Sequence, residues 1–356
     1  THVRGGMLSA GVLTLLAVRR RNQLRRARPR ARLPEPAPRP ASTERALRSI
    51  DTGERLSRLD VAIRSAAGEL VERGSRVVAA LISADGELEL RLSSAADLQP
   101  PWHGDAVSWR LAASTPLELL APSVHGAGSP CPTIVQLGCD LDGRDVYVEL
   151  EACEAIEVGG PADDADAIVA AIASTLAGSV QAEVTTLVGL GVPDDAFLGH
   201  RLHVPANDSQ GALEAAREAV GSTAAADRST FELRARGVAG EVWEPAVVLV
   251  GSAAGTIWLP GPHIGVAIVS ASPIHGPSCR LAPDGDQWVL QPHGLRFLPI
   301  GLSPDDVAAI AELVDVDAPV SDLGPHLDAG PDDTIVDRGG LDHADHADHA
   351  DHADHA

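Results

Sequence analysis

The chain has 356 residues, a net charge of −22 at pH 7 and no lysine, so every strong base is an arginine. That length holds two compact regions plus tails, and aromatics at only 3% beside abundant Ala, Gly, Val and Leu require an aliphatic core. So acidic a body repels nucleic acid, which leaves only a basic arm to touch phosphates.

The charge is unevenly placed. Residues 1–48 carry twelve Arg against Glu35 and Glu44, a net of +10, so the remainder carries −32. Within that arm, residues 5–18 read "GGMLSAGVLTLLAV", an uncharged apolar run of 14 residues. A bilayer needs about 20. "RRRNQLRRARPRAR" follows at once, with eight Arg between 19 and 32. A signal peptide places its charges before the apolar core, whereas the cytoplasmic end of a span places them after it. The expectation is a partial transmembrane helix over 1–18 and an Arg-rich, Pro-rich juxtamembrane linker over 19–42. Arg19, Arg20, Arg21, Arg25 and Arg26 would then meet anionic headgroups. The folded body would lie on the cytoplasmic side of the cell membrane. A nucleic-acid contact through the same arginines is the alternative reading. Proline at alternate positions in "LPEPAPRPAST" (33–43) predicts an extended spacer without helix.

Residues 43–120 read as a small α+β region. Leu56, Leu59, Ile63, Ala66 and Leu70 share one helical face. "SRVVAALIS", a turn at Asp85-Gly86 and "LELRLSS" make a hairpin. Trp102 and Trp109 are expected to fill a core short of other aromatics. Residues 112–130, rich in Ser, Pro and Gly, read as a long loop. Cys131, Cys139, Cys153 and Cys279 show neither C-x-x-C nor zinc-finger spacing and read as small buried side chains in a reducing compartment.

Residues 131–316 read as α/β, a doubly wound, mostly parallel sheet. "TIVQLG" and "VYVELE" flank a turn, and "AIEV" runs into Gly159-Gly160. The following helix puts Ala165, Ile168, Val169, Ile172 and Leu176 on one face. "VTTLVGLG", "AVVLVG" and "GVAIVS" are apolar runs of the kind that form strands buried on both faces. Helical text between the first two, broken near Gly221, completes the alternation. "RLAPDGDQWVLQP" reads as a hairpin, and "SPDDVAAIAELV" as a closing helix capped by Ser303 with Asp306 at the capping-box position. His200 and His203 read as surface or structural residues, with no third ligand near them in sequence.

A strand, a glycine turn and a helix raise the question of a phosphate loop. The form G-x-x-x-x-G-K-[ST] needs a lysine and a hydroxyl at the helix start. Counting from Gly159 places Asp164, Ala165 and Asp166 at the G, K and S/T positions; counting from Gly160 places Ala165, Asp166 and Ala167 there. Asp163, Asp164 and Asp166 suit a helix N-terminus but repel a triphosphate. "AVVLV" runs into Gly251 and Ser252, not into an acid for magnesium. No catalytic residue, cofactor or dedicated metal is therefore expected, and Gly159, Gly160, Asp164, Ala165 and Asp166 are read as vestigial loop positions.

The order of these features resembles the motor domain of FtsK/HerA-type DNA translocases. "VQLGCDLDGRDVYVEL", then "IEVGGPADDADAIVAAIASTLA", matches that family's strand pair and phosphate loop. "PAVVLVG" and "GVAIVSAS" stand where its magnesium-acid and sensor strands would be. The resemblance covers about residues 131–300 and implies a degenerate P-loop fold, since the family's lysine and acid fall on Ala165 or Asp166 and on Gly251 or Ser252. The layout of apolar run, Arg-rich stop, Pro-rich spacer and this domain also resembles actinobacterial membrane proteins with a LysM module and a bacterial transcriptional activator domain. "PSCRLAPDGDQWVLQPHGLRFLPIGLSPDDVAAIAELV" carries most of that likeness. Peptidoglycan binding and transcriptional regulation are implied only for relatives that carry those modules.

Residues 317–356 read as a disordered acidic tail ending in five D-H-A repeats. Its histidines, His343, His346 and His349 among them, are of a type that binds zinc, nickel or copper weakly. The functional expectation is a non-enzymatic, membrane-tethered regulatory or scaffold domain with an unidentified protein partner. A nucleotide sensor that binds without hydrolysis is the alternative, and nucleic-acid binding through the arm is the third reading.

Overall fold

The computed structural model describes residues 6–26, 38–48, 53–120, 129–221, 228–237, 244–258 and 265–315. The chain opens with three helices, α1 (Gly6–Arg26), α2 (Pro38–Arg48) and α3 (Gly53–Glu72). The proline spacer was expected to exclude helix, yet α2 begins at Pro38 and contains Pro40. Both prolines lie in its first turn, where no intrahelical N–H bond is lost, so their fixed φ does not obstruct the helix.

The expected membrane segment also turns out differently. Met7, Leu8, Val12 and Leu16 of α1 are buried in the protein's own core. Gly11 lies against Gly178 at the end of the helix α5 defined below; a Cβ on Gly11 would stand 2.8 Å from the Gly178 carbonyl. Glycines on both sides permit this close backbone crossing. Among the described residues, no helix is long and apolar enough to cross a membrane.

The hairpin β1 (Val77–Ile82) and β2 (Leu88–Leu92) turns at Gly86, whose φ of +93° favours glycine. Next come β3 (His103–Asp105) and β4 (Ser108–Leu111). Trp102 and Trp109 are buried as expected, and the Trp109 ring N–H donates to the Ala96 carbonyl at 2.9 Å. Glu89 of β2 is buried and answered by Arg91 at 2.7 Å and Arg144 at 3.0 Å.

The second stretch runs β5 (Ile134–Cys139), β6 (Asp145–Glu149), α4 (Leu150–Cys153), β7 (Ala155–Val158), α5 (Ala162–Gly178), β8 (Thr186–Leu190) and β9 (His203–Ala206). It continues through α6 (Ser209–Val220), α7 (Thr230–Ala235), β10 (Ala246–Val250), β11 (Ile257–Trp258), β12 (Val266–Ser270) and β13 (Ile274–His275). The last elements are β14 (Cys279–Asp284), β15 (Gln287–Gln291), β16 (Leu295–Pro299) and α8 (Pro304–Val314). Ser303 and Asp306 form the expected capping box of α8.

Fourteen strands form one sheet, ordered β3-β4-β2-β1-β6-β5-β16-β15-β14-β7-β12-β10-β8-β9. From β14 to β9 every pairing is parallel; from β3 to β14 every pairing is antiparallel. The parallel run is the doubly wound α/β layer. Alternation along its strands sends Leu187, Val247, Leu249, Ala267 and Val269 to the face covered by α5, in a core shared with residues of α1 and α8. Val188, Val248 and Ile268 face the opposite layer with Ala212, Leu213 and Ala216 of α6. The antiparallel strands join this layer without a break, because β1 pairs with β6 and β5 with β16. That last seam is only two register pairs long, Cys139 with Leu298 and Gly138 with Pro299. A Cβ at Gly138 would run into the Leu298 carbonyl oxygen.

Candidate functional site

Ligands of open α/β sheets bind beyond the carboxyl ends of parallel strands. Here that edge contains the loop from β7 to α5, Gly251 and Ser252 after β10, and Ser272 after β12. The loop is short: only residues 159–161 separate β7 from α5. Gly159 donates its N–H to the Leu281 carbonyl at 2.8 Å, as if the sheet continued through it. Gly160 has φ +98°, and a Cβ there would lie 3.1 Å from the Trp288 ring and 3.2 Å from Pro283. The β14–β15 hairpin thus covers the loop.

This placement revises the vestigial loop positions. Asp164, Ala165 and Asp166 do not flank the loop; they sit inside α5, where the Ala165 N–H already makes a helical bond to the Pro161 carbonyl at 3.0 Å. Ala165, at the position of the phosphate lysine, is 1% exposed and faces the core. Asp163 and Asp164 lie in the first turn, where their charge favours the helix.

Asp166 is where the structure differs most from the sequence reading. One carboxylate oxygen accepts the Ser252 backbone N–H at 2.7 Å, and the other accepts the Ser252 hydroxyl at 2.6 Å. In a Walker site the helix supplies the hydroxyl and the strand end supplies the acid. Here the same two groups meet with their positions exchanged. The strand end itself carries Gly251 and Ser252 and no acid; the carboxylate that meets Ser252 comes from α5 instead. The signal in the sequence was the simultaneous departure at both positions, acid for hydroxyl on α5 and hydroxyl for acid after β10. The surrounding edge is knitted in the same way. Ser272 donates to the Gly251 carbonyl at 2.8 Å, and Glu157 accepts the Ile274 N–H at 2.9 Å and pairs with Arg280 at 2.9 Å.

Beside the start of α5 lies a cavity of about 730 Å³, lined by Asp163, Asp164, Asp166, Ile300, Ser303 and Val307 among others. Its walls are apolar and its charge is negative, a chemistry that admits cationic or apolar groups and opposes phosphate.

The opposite edge of the same strands carries polar groups of another kind. Glu151 of α4 is buried, accepts from the Thr230 hydroxyl and pairs with Arg234 at 2.6 Å. Glu149 of β6 accepts from the Thr133 hydroxyl, and burial pushes its carboxyl up to about 8. Cys153, Cys279 and His293 converge there, with the Cys279 sulfur 3.6 Å from His293 Nε2. The Cys153 thiol, and then the His293 ring, hold the Cys279 thiol down at about 6, while Cys153 is pushed well up by its bond to Cys279 and by burial. Sequence spacing gave no sign of this cluster, because its members come from α4, β14 and the β15–β16 turn. Of the two histidines read as surface or structural residues, His203 stacks on Phe197 with ring centroids 3.8 Å apart, and His200 Nε2 meets the Thr185 carbonyl at 2.9 Å.

In the Arg-rich end of α1, Arg20 pairs with Glu44 at 2.7 Å, and Arg21 and Arg25 are exposed. The side chains of Arg19 and Arg26 lie outside the described residues, as do His343, His346 and His349.

No protein-family model and no curated protein matches the chain. Among solved structures it is similar to the cytoplasmic domain of the type VII secretion ATPase EccC of Thermomonospora curvata, at 11% identity and TM-score 0.32 over 58% of this chain and 35% of that one. It is also similar to T. curvata EccC ATPases 2 and 3 in complex with a signal sequence peptide, at 13% identity and TM-score 0.31 over 55% and 52%. A third similarity is to the pCW3 conjugation coupling protein TcpA in a monomer form with ATPγS, at 8% identity and TM-score 0.35 over 71% and 99%. The chain thus spans about a third and about half of the two EccC structures.

Proposed function

We propose that the chain acts by binding and not by phosphoryl transfer, as a regulatory or scaffold domain on a degenerate P-loop-like frame. The Asp166–Ser252 pair supports this reading most. The carboxylate and hydroxyl that would share a magnesium ion are closed on each other at 2.6 Å, with no lysine in the chain to neutralise a phosphate. The three-residue loop points the same way: Pro161 has no N–H, and the Gly159 N–H is bonded to the Leu281 carbonyl, so neither is offered to a phosphate. A nucleotide-sensing role would draw on the same N–H groups, and that of Gly159 is already given to Leu281. The Arg-rich end of α1 belongs to the proposal as a peripheral contact with anionic headgroups, since the apolar side of that helix is buried in the body.

The test is calorimetric titration of ATP and GTP with magnesium into the full chain, with magnesium alone as the control, alongside a phosphate-release assay. The expected result is no nucleotide-dependent heat at millimolar ligand and no turnover. Micromolar binding that tightens in D163A or D164A would replace the proposal with a nucleotide sensor. Phosphate release that disappears in D166A would overturn it outright.

A further inference from the structure

At the amino ends of β7 and β14, Cys153, Cys279 and His293 place two sulfurs and a ring nitrogen within 4.8 Å of one another. Among the described residues, this is the one group of His, Cys, Asp or Glu to bring three such ligand atoms together. Both cysteines are buried and free, and His293 is half-buried, so the cluster is sheltered on the protein side and reachable from solvent through the histidine. The spacing fits a shared ion. Zinc takes sulfur at about 2.3 Å and imidazole nitrogen at about 2.0–2.1 Å, and a tetrahedral angle then separates S from N by about 3.5 Å. The distance from Cys279 Sγ to His293 Nε2 is 3.6 Å.

We propose that Cys153, Cys279 and His293 bind one zinc ion. Two thiolates and an imidazole are the soft-to-borderline set that zinc prefers over the oxygen-seeking magnesium and calcium. Three protein ligands leave the fourth position for water or for the Glu154 carboxylate. Glu154 follows Cys153 in the chain and approaches the hydroxyl of Ser278, the neighbour of Cys279, at 3.5 Å. The ligands come from the end of α4, the start of β14 and the β15–β16 turn, so the ion would tie the parallel layer to the antiparallel strands beside it. The site is independent of Asp166 and Ser252 and lies at the opposite end of the strands. It is a clamp by position and carries no part of the reading above.

Cobalt(II) added to the reduced full chain tests this, followed by displacement with zinc. The D-H-A tail contains histidine and aspartate but no cysteine, so thiolate-to-cobalt charge transfer excludes the tail, and the C153S and C279S variants tell this cluster from Cys131 and Cys139. The expected result is one equivalent of tetrahedral cobalt with thiolate absorption, bleached by zinc. C279S and C153S should each abolish it, and H293A should retain thiolate absorption at weakened affinity, which separates loss of a ligand from loss of the fold. One equivalent of zinc should raise the melting temperature of the chain and not that of C279S. A cobalt spectrum without thiolate absorption, or one unchanged in C279S, would overturn the proposal. So would full retention of the thiolate absorption in C153S, since both sulfurs must reach the ion.

Discussion

The two ends of β7 handle polar groups in opposite ways. At the carboxyl end, Asp166 is half-exposed and is satisfied by a backbone N–H and a hydroxyl, both neutral donors. At the amino end, Glu151 is buried and is satisfied by a full guanidinium. Beside it, Glu149 is buried without a cation of its own, so its carboxyl is pushed up instead. Water can still relieve the first arrangement; only geometry holds the second. The edge where an enzyme of this architecture would work is therefore the more forgiving one, and the edge with no expected role is the more tightly specified.

The largest expected effect tests the amino end. R234M removes the cation and leaves the buried Glu151 carboxyl without its partner, so stability to urea should fall by about 3–5 kcal/mol. A loss below about 1 kcal/mol would make the two ends alike and break the comparison. The second expectation concerns pH. Glu149 in the folded chain holds a proton that the unfolded chain, at an ordinary 4.5, gives up. Its contribution is full below about pH 4.5 and is lost as pH rises through about 8, at up to about 1.4 kcal/mol per pH unit. E149Q keeps a neutral side chain throughout, so its stability between pH 5 and pH 8 should fall less steeply than that of the parent. Equal slopes would place a charged carboxylate at that position. The smallest effect belongs to the carboxyl end. D166A removes two hydrogen bonds to groups that solvent can reach, for a cost of about 1–2 kcal/mol. A cost equal to that of R234M would mean that the Asp166–Ser252 pair is as closed to water as Glu151.

The parallel layer was legible in the sequence because strands buried on both faces are near-continuous apolar runs, and "AVVLV" and the "VAIV" of β12 are. The capping box of α8 was legible because it is local. What was not legible depends on which surfaces meet. The apolar residues of α1 suit a bilayer and a protein core equally; in the fold Met7, Leu8, Val12 and Leu16 are buried in the core and Gly11 meets Gly178. Pro38 and Pro40 read as helix breakers because nothing in their text marks them as a first turn. Asp166 and Ser252 each read as the loss of a catalytic group until the fold places them in contact. Cys153, Cys279 and His293 share no motif, because the chain reaches them from three elements that only the sheet order brings side by side.

The two-pair seam between β5 and β16 has a consequence for how the protein is made. Cys139 leaves the ribosome long before Leu298 does, so β5 must wait with one edge open while everything from β6 to β15 is synthesised. An open strand edge is a template for the wrong neighbour. Gly138, where no side chain fits against the Leu298 carbonyl, makes that edge selective as well as exposed. The protein's vulnerable moment is therefore late in translation, when a nearly complete sheet still lacks the strand that joins its two halves.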